Sequence, residues 1–123
     1  MDTRSKILTL AAALELRPAV TVAAGTFDVL RAEHARELAA VRKRTGMPLL
    51  VVVLPLENEV LPQPARAEVV AALRMVDFVV IADSAELDRL IGVLRPAEVV
   101  RMEAADAHRT KQLIEHVLRR QAR

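Results

Sequence analysis

The amino-acid sequence predicts an α/β domain, a Rossmann-like doubly wound parallel sheet of about four strands with flanking helices. Two observations carry this prediction. Short apolar runs alternate along the chain with longer segments that place charged residues on one side. The runs are apolar at successive positions, which is typical of strands that are buried on both faces. Because residues 1–123 contain no internal repeat and no low-complexity segment, we expect a single domain.

The N-terminal third predicts a helix, a strand and a second helix. Residues 5–17 have no helix-breaking residue before Pro18 and therefore predict the first helix. Residues 19–25 form a β-rich run that ends in glycine, as a buried strand does. Residues 31–46 predict the second helix, because their apolar side chains share one face and Gly46 supplies a C-terminal stop.

The middle of the chain predicts the most apolar strand. Residues 48–54 contain six consecutive apolar side chains, several of them β-branched. A long loop with three prolines follows at residues 55–64, and residues 65–76 predict a helix. Residues 77–82 are again short and apolar, and they predict the third strand.

The C-terminal third predicts one more strand between two helices. The helix at residues 84–95 begins at Ser84, which is expected to be its N-cap. Residues 97–102 predict the fourth strand, and residues 106–121 predict a last helix that begins at Asp106.

Composition excludes several kinds of site and partner. The chain has no cysteine, and therefore no disulfide, thiolate metal site or cysteine nucleophile. Lys and Arg number 18 against 16 Asp and Glu, and Trp and Tyr are absent, so we expect no nucleic-acid partner. His108 and His116 are eight residues apart rather than one helical turn, so we expect no metal site. The apolar part of the N-terminal segment is too short for a membrane span, and we expect a cytoplasmic protein with no membrane partner.

The turn after residues 19–25 is the first candidate for a ligand site. In open parallel sheets, ligands bind beyond the carboxyl ends of the strands, where the strand order reverses. Gly25 lets a ligand approach the backbone, and Thr26 offers a hydroxyl and an amide. The following helix directs its N-terminal amides toward a phosphate, to which His34 could donate a hydrogen bond. Asp28 is expected either to anchor the turn or to contact a ligand, and the sequence favours neither role over the other.

The stretch GTFDVLRAEH (residues 25–34) resembles the signature of the cytidylyltransferase-like nucleotidyltransferases, G-(C/T)-F-D-(I/L/V)-L-H-x-G-H. The segments RSKILTL, PQPARAEVVAALRMVDFVVIAD and LIGVLRPAEVVRM resemble further family segments in the same order. The resemblance implies a Rossmann-like fold, a homodimer, and transfer of a nucleotidyl group from CTP or ATP to a phosphorylated small molecule. Pyrophosphate would be released, with Mg²⁺ as the cofactor of an active enzyme.

The resemblance also implies the residues of the site. His34 and Arg31 take the two histidine positions of H-x-G-H and are the expected catalytic residues. The residues implied for nucleotide and phosphate binding are Gly25, Thr26, Phe27, Asp28, Arg66, Arg101 and Thr110.

Four departures from the family pattern argue that transfer is weak or lost. Arg31 replaces the leading histidine, and Glu33 replaces the motif glycine. Two like charges about 4 Å apart repel by roughly 4 kcal/mol at an effective dielectric of about 20, so Glu33 disfavours a triphosphate. The glycines that the family has after the position of Arg101 are absent. The chain then enters its last helix without the family's additional strand and Ser/Thr-rich motif, of which Thr110 alone is kept.

Three functions stay open on the sequence. The first is a divergent family member with weak or lost transfer that acts as a scaffold, dimer partner or weak nucleotide sensor. The second is an active nucleotidyltransferase whose rearranged phosphate clamp consists of Arg31, His34, Arg66 and Arg101. The third is a non-catalytic protein-interaction module that uses the first helix or the proline-rich loop. A strand from a second chain could replace the additional strand that the sequence lacks.

Overall fold

A parallel sheet of five strands forms the centre of the computed structural model, which describes residues 2–28, 30 and 32–102. The elements in chain order are a 3₁₀ helix (Thr3–Lys6), β1 (Ile7–Leu8), α1 (Leu10–Leu14), β2 (Thr21–Gly25), α2 (Ala32–Thr45), β3 (Leu49–Val53), α3 (Gln63–Ala71), β4 (Phe78–Ile81), α4 (Ser84–Leu94) and β5 (Val99–Arg101). The strands lie in the order β1-β4-β3-β2-β5, and each neighbouring pair is parallel. The predicted α/β class is confirmed.

The sheet has five strands rather than the four expected, because the segment predicted as the first helix contains a strand. β1 pairs with β4, and the α-helical part of residues 5–17 is confined to α1. Thr9 separates the two elements, and its hydroxyl accepts a hydrogen bond from the backbone N–H of Ala12 at 3.1 Å. The alanine and leucine of this segment favour a helix, but pairing with the edge of the sheet decides the conformation of its first apolar residues.

Two apolar cores lie on opposite faces of the sheet. Both β2 and β3 are buried at every position, and successive side chains alternate between the faces. Val51 of β3 joins a core with apolar side chains of α2 and α3, whereas Val52 joins a core with those of α1 and α4. Helices therefore cover both faces, as the doubly wound prediction requires.

The strand order reverses between β2 and β5. From β2 the chain passes to β3 and then to β4 in one direction, and it returns to form β5 on the other side of β2. Arg101 at the end of β5 lies in register with Ala24 of β2. The carboxyl ends of these two strands are therefore the position at which a sheet of this topology binds ligands.

The helix ends agree with the sequence prediction in one case and correct it in another. Gly46 follows α2 with a φ of 64°, which is the left-handed stop predicted for it. Asp83, rather than Ser84, is the N-cap of α4. Its carboxylate accepts a hydrogen bond from the backbone N–H of Glu86 at 2.8 Å, and the Glu86 carboxylate accepts one from the N–H of Asp83 at 3.0 Å.

Two further expectations concern other parts of the chain. The helix predicted at residues 106–121, including its cap Asp106, lies outside the described residues. Within the part of the chain that is described, none of the helices has both the length and the apolar character needed to cross a bilayer.

Candidate functional site at the carboxyl ends of β2 and β5

The turn after β2 is built around the ring of Phe27. Phe27 adopts a φ of 52°, which is rare for a bulky side chain, and its side chain is buried. A Cβ atom on Gly25 would lie 2.9 Å from two atoms of this ring and 3.3 Å from Cβ of Met102. Glycine is therefore required at position 25 because the folded-back ring occupies the space beside it.

His34 completes the packing of this turn. It lies in the first turn of α2, as the sequence predicts, and only 4% of the residue is exposed. Its ring meets the ring of Phe27 edge to face, with centroids 5.7 Å apart and an interplanar angle of 67°. The motif thus brings Gly25, Phe27 and His34 together, while the phosphate-binding role of His34 stays a prediction.

Asp28 connects the turn to the proline-rich loop between β3 and α3. Its carboxylate accepts hydrogen bonds from the backbone N–H of Val60 at 2.9 Å and from that of Leu61 at 3.0 Å. The Leu61 amide, supported by that of Val60 and by the charge of Arg66, lowers the pKa of Asp28, and desolvation opposes this change in part. The anchoring role considered for Asp28 is therefore present in the structure.

Arg66 donates hydrogen bonds to the same turn and the same loop. Its side chain is 0% exposed. Nη1 donates hydrogen bonds to the carbonyl oxygens of Thr26 at 2.6 Å and Leu54 at 2.8 Å. Nε donates to the carbonyl oxygen of Leu61 at 3.1 Å, and Nη2 donates to the carboxylate of Glu59 at 2.9 Å. The guanidinium therefore contacts the backbone of the turn at which the sequence predicts a phosphate.

Glu59 is the site residue that the sequence analysis missed. It stands in the proline-rich loop, before the helix that contains Arg66, so that helical periodicity does not predict a contact between the two side chains. A buried arginine needs a nearby carboxylate or several carbonyl groups. That requirement could have identified Glu59 only if the burial of Arg66 had been known.

Arg101 reaches the same edge of the sheet from β5. Its Nη2 lies 3.7 Å from the Asp88 carboxylate of α4, and the two side chains are 49% and 73% exposed. Exposed pairs of this kind stabilise proteins by at most about 1 kcal/mol. Two other predicted site residues, Arg31 and Thr110, lie outside the described residues.

The described residues hold no cluster of metal-ligating side chains at this turn. Across residues 2–28, 30 and 32–102, no group of three or more His, Asp or Glu side chains is arranged to hold a metal ion. His108 and His116 fall outside that part of the chain. An open groove of about 420 Å³ is present, but residues of the opposite edge of the sheet line it, among them Arg42 and Asp77. Its position gives it no connection with the predicted phosphate site.

Known proteins resemble this chain in both sequence and fold. No family model matches the sequence. It is 37% identical over 84 residues to an FAD synthase of Methanoregula boonei, a match covering 63% of this chain and 56% of the relative. It is 30% identical over 105 residues to an FAD synthase of Archaeoglobus profundus, covering 80% and 66%.

A third relative is the FAD synthase of Methanosphaerula palustris, which is 35% identical over 81 residues. The chain spans between about half and two thirds of the length of these curated relatives, from 52% to 66%. A solved structure, the lipopolysaccharide core biosynthesis protein from Thermoplasma volcanium, superposes with a TM-score of 0.60 at 20% identity, covering 68% of this chain and 73% of that one. At that identity, the likeness shows the fold alone.

Proposed function

The chain belongs to the cytidylyltransferase-like nucleotidyltransferases, and we propose that it is a divergent nucleotidyltransferase-like domain in which nucleotidyl transfer is weak or lost. Nucleotide would bind over the turn at Gly25, where the strand order reverses. Binding and transfer would be weak because the charged groups around that turn either hydrogen-bond to the protein or repel phosphate.

The engagement of Arg66 is the observation that carries this proposal. An arginine that clamps a phosphate presents N–H groups to the anion. Of its five N–H groups, Arg66 uses four in hydrogen bonds to the protein itself, and its side chain is fully buried. A phosphate therefore meets a guanidinium whose hydrogen-bonding capacity is almost fully used.

Glu33 supports the same proposal from the other side of the turn. It is an exposed acidic residue in the first turn of α2. The positive end of a helix dipole attracts phosphates, and an acidic side chain in the first turn stabilises that same end. Glu33 therefore reduces the attraction that the start of α2 offers to a triphosphate.

The test combines binding and turnover. The protein is titrated with ATP and with CTP in the presence of Mg²⁺ by calorimetry, and pyrophosphate release is assayed with FMN and with glycerol phosphate as acceptors. We expect binding in the millimolar range or weaker and no pyrophosphate above the background without protein. Turnover that disappears in the His34→Ala variant would contradict the proposal.

The names of the relatives favour a second candidate, an active adenylyltransferase that takes ATP and FMN. A phosphate oxygen of FMN would attack the α-phosphorus of ATP, forming the new P–O–P bond as the bond to the departing pyrophosphate breaks. Arg31, His34, Arg66 and Arg101 would stabilise the phosphate oxygens. Chromatographic detection of FAD, formed by wild-type protein and not by His34→Ala, would support this candidate over the first.

Mg²⁺ would be held mainly through the nucleotide. The carboxylate of Asp28 already accepts two backbone N–H groups, and that of Glu59 accepts the guanidinium of Arg66. Mg²⁺ is commonly bound by substrate phosphates with few protein ligands. A homodimer, a cytoplasmic location and a role as a protein-interaction module also stay proposals, and light scattering together with a pull-down tests self-association and partner binding.

A further inference from the structure

One nitrogen of the Arg66 guanidinium, Nη2, donates its hydrogen bond to a side chain rather than to the backbone. Nε and Nη1 donate to three carbonyl oxygens, which lie in the β2–α2 turn, after β3 and in the proline-rich loop. Nη2 donates to Glu59 alone among its described partners. The three carbonyl contacts fix the plane of the guanidinium, and they leave Nη2 as the group that can exchange its partner without disturbing the backbone.

We propose that Glu59 is the internal occupant of a phosphate subsite, which the β- or γ-phosphate of a nucleotide or free pyrophosphate enters by replacing the Glu59 carboxylate on Nη2 of Arg66. The proposal rests on the function proposed above, because it assumes that the phosphates lie over the Gly25 turn. Carboxylate and phosphate oxygens are equivalent acceptors for a guanidinium, so Nη2 stays hydrogen-bonded after the exchange.

The difference in burial between Arg66 and Glu59 indicates that the Glu59 side chain is the one that moves. The side chain of Arg66 is 0% exposed, whereas that of Glu59 is 37% exposed. A carboxylate with access to water can leave the pair and be solvated, whereas the buried guanidinium cannot. Of the two, only Glu59 can leave the contact at low cost.

The backbone on both sides of Glu59 is fixed, so the exchange requires a side-chain rotation and no loop opening. Asn58 precedes it in a turn with a φ of 54°, a conformation that Asn tolerates. The N–H groups of Val60 and Leu61, which follow it, are held by Asp28. Rotation of the Glu59 side chain would therefore release the hydrogen bond to Nη2 without movement of the loop backbone.

The variants Glu59→Gln and Glu59→Ala test the proposal. Both remove the negative charge that competes with the anion, and Ala also removes the side chain that accepts the hydrogen bond from Nη2. Calorimetry with inorganic pyrophosphate, ATP and AMP measures the effect. We expect pyrophosphate and ATP to bind about tenfold more tightly than to wild-type protein, and AMP to gain much less.

Glu57→Gln is the matched control. Glu57 lies two residues earlier in the same loop, is exposed, and makes no hydrogen bond or ion pair with the described part of the chain. Glu57→Gln removes the same unit of charge as Glu59→Gln. Because salt screens a charge at this distance, we expect its affinity for pyrophosphate and ATP to change by less than about twofold. The Nε–H signal of Arg66 in an ¹⁵N–¹H spectrum should shift on addition of pyrophosphate to Glu59→Gln, which locates the binding.

Three results would overturn the proposal. Equal gains in the Glu57 and Glu59 variants would assign the effect to the net charge of the loop. Unchanged or weaker binding in both Glu59 variants, with thermal unfolding like that of wild type, would show that Glu59 covers no subsite. Absence of pyrophosphate and ATP binding in every variant would remove the subsite itself. Turnover by the wild-type protein is a separate measurement, which contradicts the weak-transfer function without affecting the comparison between Glu57 and Glu59.

Discussion

Two arginine–carboxylate pairs have the same N–O distance but lie at opposite ends of the strands. We call the side of the sheet at the amino ends of the strands the amino edge and the side at their carboxyl ends the carboxyl edge. At the amino edge, Nε of Arg42 donates to Asp77 at 2.9 Å, and each side chain is 35% exposed. At the carboxyl edge, Nη2 of Arg66 donates to Glu59 at 2.9 Å, and the arginine side chain is 0% exposed. The N–O distance is the same, but only the second pair has a member that water cannot reach.

We expect burial and backbone contacts, rather than the N–O distance, to decide how much each ion pair contributes to stability. The first pair joins the end of α2 to the start of β4, and Asp77 also accepts the N–H of Leu49 at 2.8 Å. The second pair belongs to a guanidinium that fixes both loops of the candidate site. Residues at the carboxyl edge are therefore constrained by one another, and substitutions there should have larger effects.

Replacement of the two arginines should give the largest contrast. Arg66→Ala leaves the carbonyl oxygens of Thr26, Leu54 and Leu61 without their donor, and buried acceptors without partners cost about 1–3 kcal/mol each. Water that enters the space recovers part of this, so we expect the free energy of unfolding to fall by about 3–5 kcal/mol. Arg42→Ala should cost only about 0.5–1.5 kcal/mol.

Urea denaturation followed by circular dichroism measures both losses. Similar losses in the two variants would show that the difference in burial between the pairs has no energetic consequence.

The glycine beneath Phe27 should give the next largest effect. In Gly25→Ala the new methyl group would lie 2.9 Å from the Phe27 ring, which is buried and packed against His34. Overpacking of this kind costs about 1–3 kcal/mol. A methyl group on Gly92, in α4, would meet no atom within 4 Å beyond its chain neighbours and the nearby backbone of α4. Gly92→Ala should therefore stabilise the protein by up to about 1 kcal/mol through helix propensity.

Thermal unfolding distinguishes the two glycine variants by the direction of the change in Tm. A neutral Gly25→Ala would mean that the Phe27 ring moves away at no cost, and the tightly packed turn would then not be a constraint on the site.

Asp28→Asn should remove about 1 kcal/mol at neutral pH, because an uncharged amide oxygen accepts the Val60 and Leu61 N–H groups less strongly. The Leu61 amide lowers the pKa of Asp28 in the folded protein, so the unfolded chain takes up the proton first as the pH falls. The stability that Asp28 supplies is complete above the ordinary carboxyl pKa of about 3.9, and it is lost as the pH falls through the lower folded value.

The measurement is the difference in Tm between wild type and Asp28→Asn as a function of pH. We expect it to be largest near neutrality and to shrink below about pH 4. A difference that stays constant into strong acid would show that the charge of Asp28 contributes nothing to joining the two loops.

The sequence was sufficient for the central strands and insufficient for the first edge strand. Residues 48–54 are continuously apolar, and they contain β3, which is buried throughout. β1 has two residues, too few for any periodicity, and it exists because β4 offers an unpaired edge. Local composition determines long apolar strands, whereas a two-residue strand depends on its neighbour.

In the candidate site, too, local sequence predicts some features, whereas others depend on how distant segments pack. The motif from Gly25 to His34 predicted a turn after β2 and a histidine in the first turn of α2, because a glycine after a buried strand and a histidine in the next helix are both local features. The engagement of Arg66 could not be predicted in this way. Its partners come from three segments that only the packing of α3 brings together, and one of them is the side chain of Glu59.

Thr21, at the start of β2, should give an effect as small as that of Asp28 but of the opposite sign. Its hydroxyl is the one fully buried side-chain polar atom without a hydrogen-bond partner in the described part of the chain. Thr21→Val keeps the shape and removes the unsatisfied group, so we expect a gain of about 1 kcal/mol. Thr45→Val is the control, because the Thr45 hydroxyl donates to the carbonyl oxygen of Val41 at 3.0 Å, and its loss should not stabilise. Destabilisation by Thr21→Val would reveal a hydrogen-bond partner for this hydroxyl. The amino ends of the strands would then resemble the carboxyl ends, where every buried side-chain nitrogen or oxygen of the described residues has at least one hydrogen-bond partner.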